Sequence, residues 1–192
     1  MPNIAVVYHS GYGHTQKVAE VIDETLQSMS KIHADLLAID AEGNLSEAGW
    51  QTLSKADTII FGSPTYMGSV SWQFKKFADA SSKVWSSQGW KDKFAAGFTN
   101  SASINGDKLS TLHYMVTLAM QQSMLWISAG IMPSNTKAAD RNDLNYLGSY
   151  VGLMAQSPSD ASPEEGPLAG DLETASVFAR RIAHLTLHYK PL

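Results

Sequence analysis

Ile4-Ala5-Val6-Val7-Tyr8, running into His9-Ser10-Gly11-Tyr12-Gly13-His14-Thr15, is the stretch that decides the fold. The first five residues form a short apolar run, the kind that is buried on both faces of a parallel sheet. The next seven are polar and punctuated by glycine, as a turn requires. Apolar residues then recur at Val18, Val21, Ile22, Thr25, Leu26 and Met29, spacings of three and four that mark one face of a helix. The stretch therefore reads as strand, turn, helix.

The pattern repeats downstream. A second strand is expected from about Ala34 to Ile39 and a short helix over 45–54. Thr58-Ile59-Ile60-Phe61 forms the third strand, which should stop at Gly62-Ser63-Pro64, because proline does not continue a central strand. A helix over 70–84 carries Trp72, Phe74, Phe77 and Ala78. Phe94 to Phe98 reads as the fourth strand, and Leu109 to Ala119 as a helix. Met124 to Ile127 is the fifth strand, and 172–187 a final helix. Strands alternating with helices predict a parallel sheet covered on both sides. One stretch, 131–170, is rich in Ser, Asn, Pro, Gly and Asp. Loops longer than ~12–15 residues are uncommon in compact domains and are usually functional or disordered. Emerging beyond the fifth strand, this one should border a site at the strand carboxyl ends.

Composition narrows the function. The 192 residues suit one domain over 1–192, with 44% hydrophobic and 17% charged residues. A net charge of −4 without a Lys/Arg cluster argues against nucleic acid as a partner. With no cysteine, thiolate nucleophiles, disulfides and Cys-based metal sites are excluded. Of the scattered histidines only His184 and His188 stand four apart, and no catalytic triad is visible, so neither a metal nor a catalytic side chain is assigned. The N-terminal stretch has no signal-peptide pattern. No apolar run approaches the ~18 residues of a membrane span. A cytoplasmic protein is expected.

In open α/β sheets, ligands bind outside the carboxyl ends of the strands. Three polar loops leave that edge here. Ser10 to Thr15 offers hydroxyls, glycine backbone and the free N–H groups of a helix start, a ready anion site without arginine. An ordinary helix cap by Ser10 is the plainer alternative. The loop is no P-loop, lacking the Gly-Lys-Ser/Thr ending, and Gln16 replaces the third glycine of a dinucleotide fingerprint. The second loop runs from Gly62 to Ser69 and the third from Thr99 to Gly106. Their small residues, amides and hydroxyls suit the edge of a flat heteroaromatic ring, with Tyr66, Met67 and Trp85 as candidate walls.

These three motifs, each after a strand, resemble the Trp-repressor-binding-protein group of flavodoxin-like NAD(P)H:quinone oxidoreductases and NAD(P)H-dependent FMN reductases. The resemblance implies a flavodoxin-like, doubly wound, five-stranded parallel sheet in the order 2-1-3-4-5, in three α/β/α layers. It implies that Ser10, Tyr12, Gly13, His14 and Thr15 hold an FMN phosphate, and that Pro64, Thr65, Tyr66, Met67 and Gly68 line its ring. It further implies that Thr99, Asn100, Ser101 and Asn105 contact the ribityl chain or ring edge. Trp85 matches a family Trp that walls the flavin site, often across a subunit boundary in a homodimer or homotetramer. NADH or NADPH would reduce the FMN, and a small-molecule acceptor such as a quinone would take two electrons. A flavodoxin-type carrier and a non-catalytic flavin-binding regulator are the alternatives. The family's His pair after Thr-Leu-Ala is absent: Thr117-Leu118-Ala119 is followed by Met120-Gln121-Gln122-Ser123.

Overall fold

Strand β1 (Asn3–Tyr8) leads into helix α1 (His14–Gln27), and β2 (His33–Ala38) into α2 (Glu47–Lys55), in a computed structural model that describes residues 1–189. The last three positions of the expected 1–192 unit lie outside the described residues. Next come β3 (Thr58–Tyr66), the two-residue β4 (Ser69–Val70), and helices α3 (Trp72–Ala80) and α4 (Ser82–Ser86). The chain continues through β5 (Phe94–Ser101), α5 (Lys108–Gln121), β6 (Leu125–Trp126), β7 (Leu153–Gln156) and α6 (Ala169–His188).

The sheet order is β2-β1-β3-β5-β6, which is the expected doubly wound order once the short β4 is set aside. Alternation along β1 divides the core. Ile4, Val6 and Tyr8 face α1 and α6, meeting Val18, Ile22, Leu26, Phe178 and Ile182. Ala5 and Val7 face the other layer, with Leu53, Phe74, Phe77, Trp90 and Met115. Each large side chain buried there contributes about 1.5–3 kcal/mol, so both faces of the sheet are firmly covered.

Two expectations about strand ends need correction. Pro64 does not stop the third strand: β3 continues to Tyr66, with Pro64 opposite Asn100 of β5. Pairing with β1 has already ended at Tyr8 opposite Gly62, so proline sits where one flank of β3 is no longer laddered. Beyond it, Met67 and Gly68 adopt φ 47 and 79 and turn the chain back into the antiparallel β4.

The fifth strand position is filled twice. β6 pairs with the start of β5 (Phe94 opposite Leu125), and β7 pairs with its end (Phe98 opposite Leu153). The 131–170 stretch therefore interrupts the fifth strand rather than following it, and its later part returns to the sheet as β7. An ion pair pins the excursion. Both terminal nitrogens of Arg141 reach the Asp171 carboxylate in the first turn of α6, at 2.8 and 2.6 Å.

Candidate functional site

At the carboxyl edge of the sheet, β1 ends in a turn held by one internal bond: the Gly13 N–H donates to Ser10 Oγ at 3.1 Å. Helix α1 starts after Gly13, whose φ is 89, and it has no side-chain cap. Among the described residues no acceptor meets the backbone N–H groups of His14, Thr15 or Gln16. Ser10 thus shapes the turn instead of capping the helix, and the first-turn amides stay available to an anion. Thr15 is buried beside them.

This turn opens into a cavity of about 540 Å³ lined from all three loops. Ser10, Tyr12, His14 and Thr15 come from the first loop, Pro64, Thr65 and Tyr66 from the second, and Asn100 and Ser101 from the third. No lysine or arginine is among the lining residues. Tyr12 and Tyr66 stand edge to face at the mouth, their ring centroids 6.2 Å apart. Burial, with Tyr12 as the smaller cause, pushes the Tyr66 phenol above its ordinary pKa. Tyr66 lies so close over the turn that a Cβ on Gly11 would come 2.5 Å from its Oη.

The floor is held by hydroxyls. Thr65 Oγ1 lies 2.8 Å from both Thr99 Oγ1 and Thr111 Oγ1, which joins β3, β5 and α5 in one buried network. Thr99, expected in the site, is fully buried in this network and supports the wall without lining it. Behind the second loop, Ser71 Oγ lies 2.9 Å from His9 Nδ1 and its backbone N–H donates to Ser63 Oγ. Burial lowers the His9 pKa below its ordinary value.

Other expected residues lie elsewhere. Gly13 ends the turn as the N-cap of α1 and does not line the cavity. Met67 and Gly68 form the exposed hairpin tip, and the Asn105 side chain is turned into its own loop, accepting from the Asp107 N–H at 3.2 Å. Trp85 is half-exposed and lines a second cavity with Tyr114, Thr117, Gln121 and Gln122. Within one chain it does not wall the first cavity. Gln121 and Gln122 are in the segment where the resembled family carries its His pair.

The excursion supplies residues that sequence reasoning did not single out. Ser157, Pro158, Ser159 and Ala161 line the cavity, as does Ala102 of the third loop. Ser157 Oγ donates to the buried Asn100 Oδ1 at 3.1 Å, and His14 Nδ1 lies 3.0 Å from the Gly166 carbonyl oxygen. The available signal was Leu153-Met154-Ala155-Gln156 followed by Ser157-Pro158-Ser159, which repeats the way Ile59-Ile60-Phe61 gives way to Gly62-Ser63-Pro64. Among the described residues no group of three or more His, Cys, Asp or Glu could hold a metal ion, and no helix is long and apolar enough to cross a membrane.

The doubly wound sheet with a polar cavity at its carboxyl edge defines a flavodoxin-like α/β protein. Residues 3–139 match the family model of NADPH-dependent FMN reductase, and the chain belongs to that family. It is 52% identical over 185 residues to "Flavodoxin FldP" of Pseudomonas aeruginosa, covering 96% of this chain and 97% of that protein. It is 29% identical to an "NAD(P)H dehydrogenase (quinone)" of Acidithiobacillus ferrooxidans, covering 97% of this chain and 98% of the relative. The solved structure of a WrbA-like flavodoxin from Agrobacterium tumefaciens superposes with a TM-score of 0.79 at 50% identity, covering 99% and 100% of the two chains.

Proposed function

We propose that the chain binds one FMN in the 540 Å³ cavity and passes electrons through it as a flavodoxin-type carrier. One observation carries the FMN assignment: the three strand-end loops meet in a single cavity whose one end has unpaired helix N-terminal amides. The donor set fits the group. A phosphate monoester would be held by the amides of His14, Thr15 and Gln16 with the Ser10 and Thr15 hydroxyls, and the helix dipole favours its charge. Pro64, Thr65 and Tyr66 would line the ring, and Asn100 and Ser101 would meet its edge or the ribityl chain. When bound, FMN supplies the redox chemistry. The protein orients it and keeps water from one side, chiefly through Tyr66 and the excursion at Ser157 to Ala161. Trp85 enters this reading only from a second copy, in the homodimer or homotetramer that the resemblance implies.

The relatives at 52% and 50% identity, both named flavodoxins, favour the carrier over the direct NAD(P)H-to-quinone route expected from sequence. The absence of the His pair points the same way. The direct route keeps specific support as the second reading: the family model is that of NADPH-dependent FMN reductases, and full-length relatives at 25–29% identity are named quinone dehydrogenases. Two measurements decide. Titration into FMN should quench its fluorescence with saturation at one equivalent, and unchanged fluorescence at micromolar protein would remove the cofactor. The loaded protein should then transfer electrons from NADPH to a quinone only after a separate flavoprotein reductase is added. Steady turnover by the chain alone assigns the direct route.

A further inference from the structure

Lys108, the first residue of α5, is fully buried, an unusual position for a lysine. Its ammonium donates to Ser101 Oγ at 2.9 Å, to the Ser103 carbonyl at 2.6 Å and to the Ile104 carbonyl at 2.8 Å. All three acceptors are in the third loop, and Ser101 lines the cavity. The same loop is held from its far side, where Gln156 Nε2 donates to the Ala102 carbonyl at 2.7 Å. Gln156 in turn touches the Arg141–Asp171 pair, accepting from Arg141 at 3.4 Å and donating its backbone N–H to Asp171 at 2.8 Å.

Resting on the FMN reading above, we propose that Lys108 is a positioning residue for the cofactor. Its buried ammonium gathers residues 101–104 into the cavity wall and gives that wall the positive charge that the lining residues lack. The geometry leaves no substitute. Three donors meet three acceptors, and an uncharged amine would donate fewer bonds and present a lone pair to a carbonyl. Charge-assisted bonds of this kind are the strong ones, so the order of the loop should follow the charge state.

That charge state is adjustable near neutrality. Burial brings the Lys108 pKa down from 10.5 to about 8; Asp171 opposes the shift and Arg141 assists it. Asp107, its neighbour, starts the helix in a left-handed conformation, its N–H bonded to Asn105 Oδ1. As pH rises through about 8, the wall should lose its anchor and its charge together. An affinity controlled by the wall should then weaken, whereas the amides of the first loop do not titrate.

Binding is measured by quenching of flavin fluorescence between pH 7 and 9, with FMN and, separately, with riboflavin, which has no phosphate for the first loop. The wild-type Kd should rise about tenfold across this range for FMN, and riboflavin should weaken in parallel. Lys108→Met should bind FMN about tenfold more weakly at pH 7, with a flat pH profile. Ser101→Ala, which removes one acceptor but keeps the charge, should retain the pH dependence. A flat wild-type profile overturns the proposal, as does a Lys108→Met variant with wild-type affinity. If that variant does not fold by circular dichroism, the wild-type and Ser101→Ala profiles still decide. Loss of the pH dependence in Ser101→Ala counts against the charge as its origin. A wild-type chain that binds FMN with a flat profile loses only this inference; one that binds no FMN at any pH loses the cofactor assignment as well.

Discussion

Pro163 lies directly over Gly13: a Cβ built on the glycine would meet the proline Cγ at 2.6 Å. The contact brings the excursion, more than a hundred residues later in the chain, onto the turn that would hold the phosphate. The His14–Gly166 contact reinforces it three residues further on. The first loop is therefore completed by tertiary structure, and its shape depends on a residue that carries no side chain.

Gly13→Ala should be costly twice. The left-handed backbone, with φ 89, costs an L-residue about 1–2 kcal/mol, and the methyl group must also displace Pro163. FMN affinity should fall at least tenfold and urea stability should drop. Gly68→Ala is the matched comparison, with φ 79 but nothing within 4 Å of the added carbon. It should lose only the backbone share of that stability while leaving FMN affinity close to wild type. Equal affinities for the two variants would show that the Pro163 contact does not shape the turn.

Asp171→Asn should destabilise the protein by about 3 kcal/mol, the low end for breaking a buried ion pair, because Arg141 keeps a fifth of its side chain exposed. It leaves the guanidinium without its partner charge and weakens the anchor of Gln156. The double replacement Arg141→Met, Asp171→Leu removes both charges and should recover most of that loss. Urea unfolding at pH 7 measures both. A loss below about 0.5 kcal/mol for Asp171→Asn would place the pair among solvent-screened surface contacts.

His9 should make the fold acid-sensitive. Its folded-state pKa is depressed by burial below the ordinary 6.5, so the unfolded chain takes up the proton first as pH falls. Its contribution to stability is present in full above about 6.5 and is lost as pH drops through the lower folded value. Asp23, raised by burial, acts in the opposite direction at lower pH. The urea midpoint of the wild-type protein should fall between pH 6.5 and 5. His9→Asn, which can keep a bond to Ser71, should show a shallower fall over the same interval. Identical slopes would mean that the imidazole is not the group being protonated.

Much of the fold was legible because the strands that make it are short apolar runs buried on both faces. Ile4 to Tyr8, Thr58 to Phe61 and Phe94 to Phe98 each ended in small polar residues, and those endings became the walls of the cavity. Pro64 misled because a proline rule for laddered strands was applied where β1 had already stopped pairing. β7 was missed because its four residues lie in a polar stretch, where Leu153-Met154-Ala155 ahead of Ser157-Pro158-Ser159 is a short signal. Trp85 and Asn105 illustrate the other limit. Residue type and chain position suggested a ring wall and an edge contact, but the direction of a side chain is set by its neighbours in space.

The chain itself determined the alternation of strands and helices and the polar loops at the strand ends, because hydrophobic periodicity and turn chemistry are local properties readable without partners; the strand order came from the family resemblance. Only the tertiary structure decided that the 131–170 excursion splits the fifth strand, that Pro163 and Ser157 complete the cavity, and that Lys108 is enclosed behind its wall. The first two join residues dozens of positions apart, and the third needs the packing that encloses the lysine. Their energy comes from close packing and from buried charges that must be met, and neither exists until the sheet has assembled.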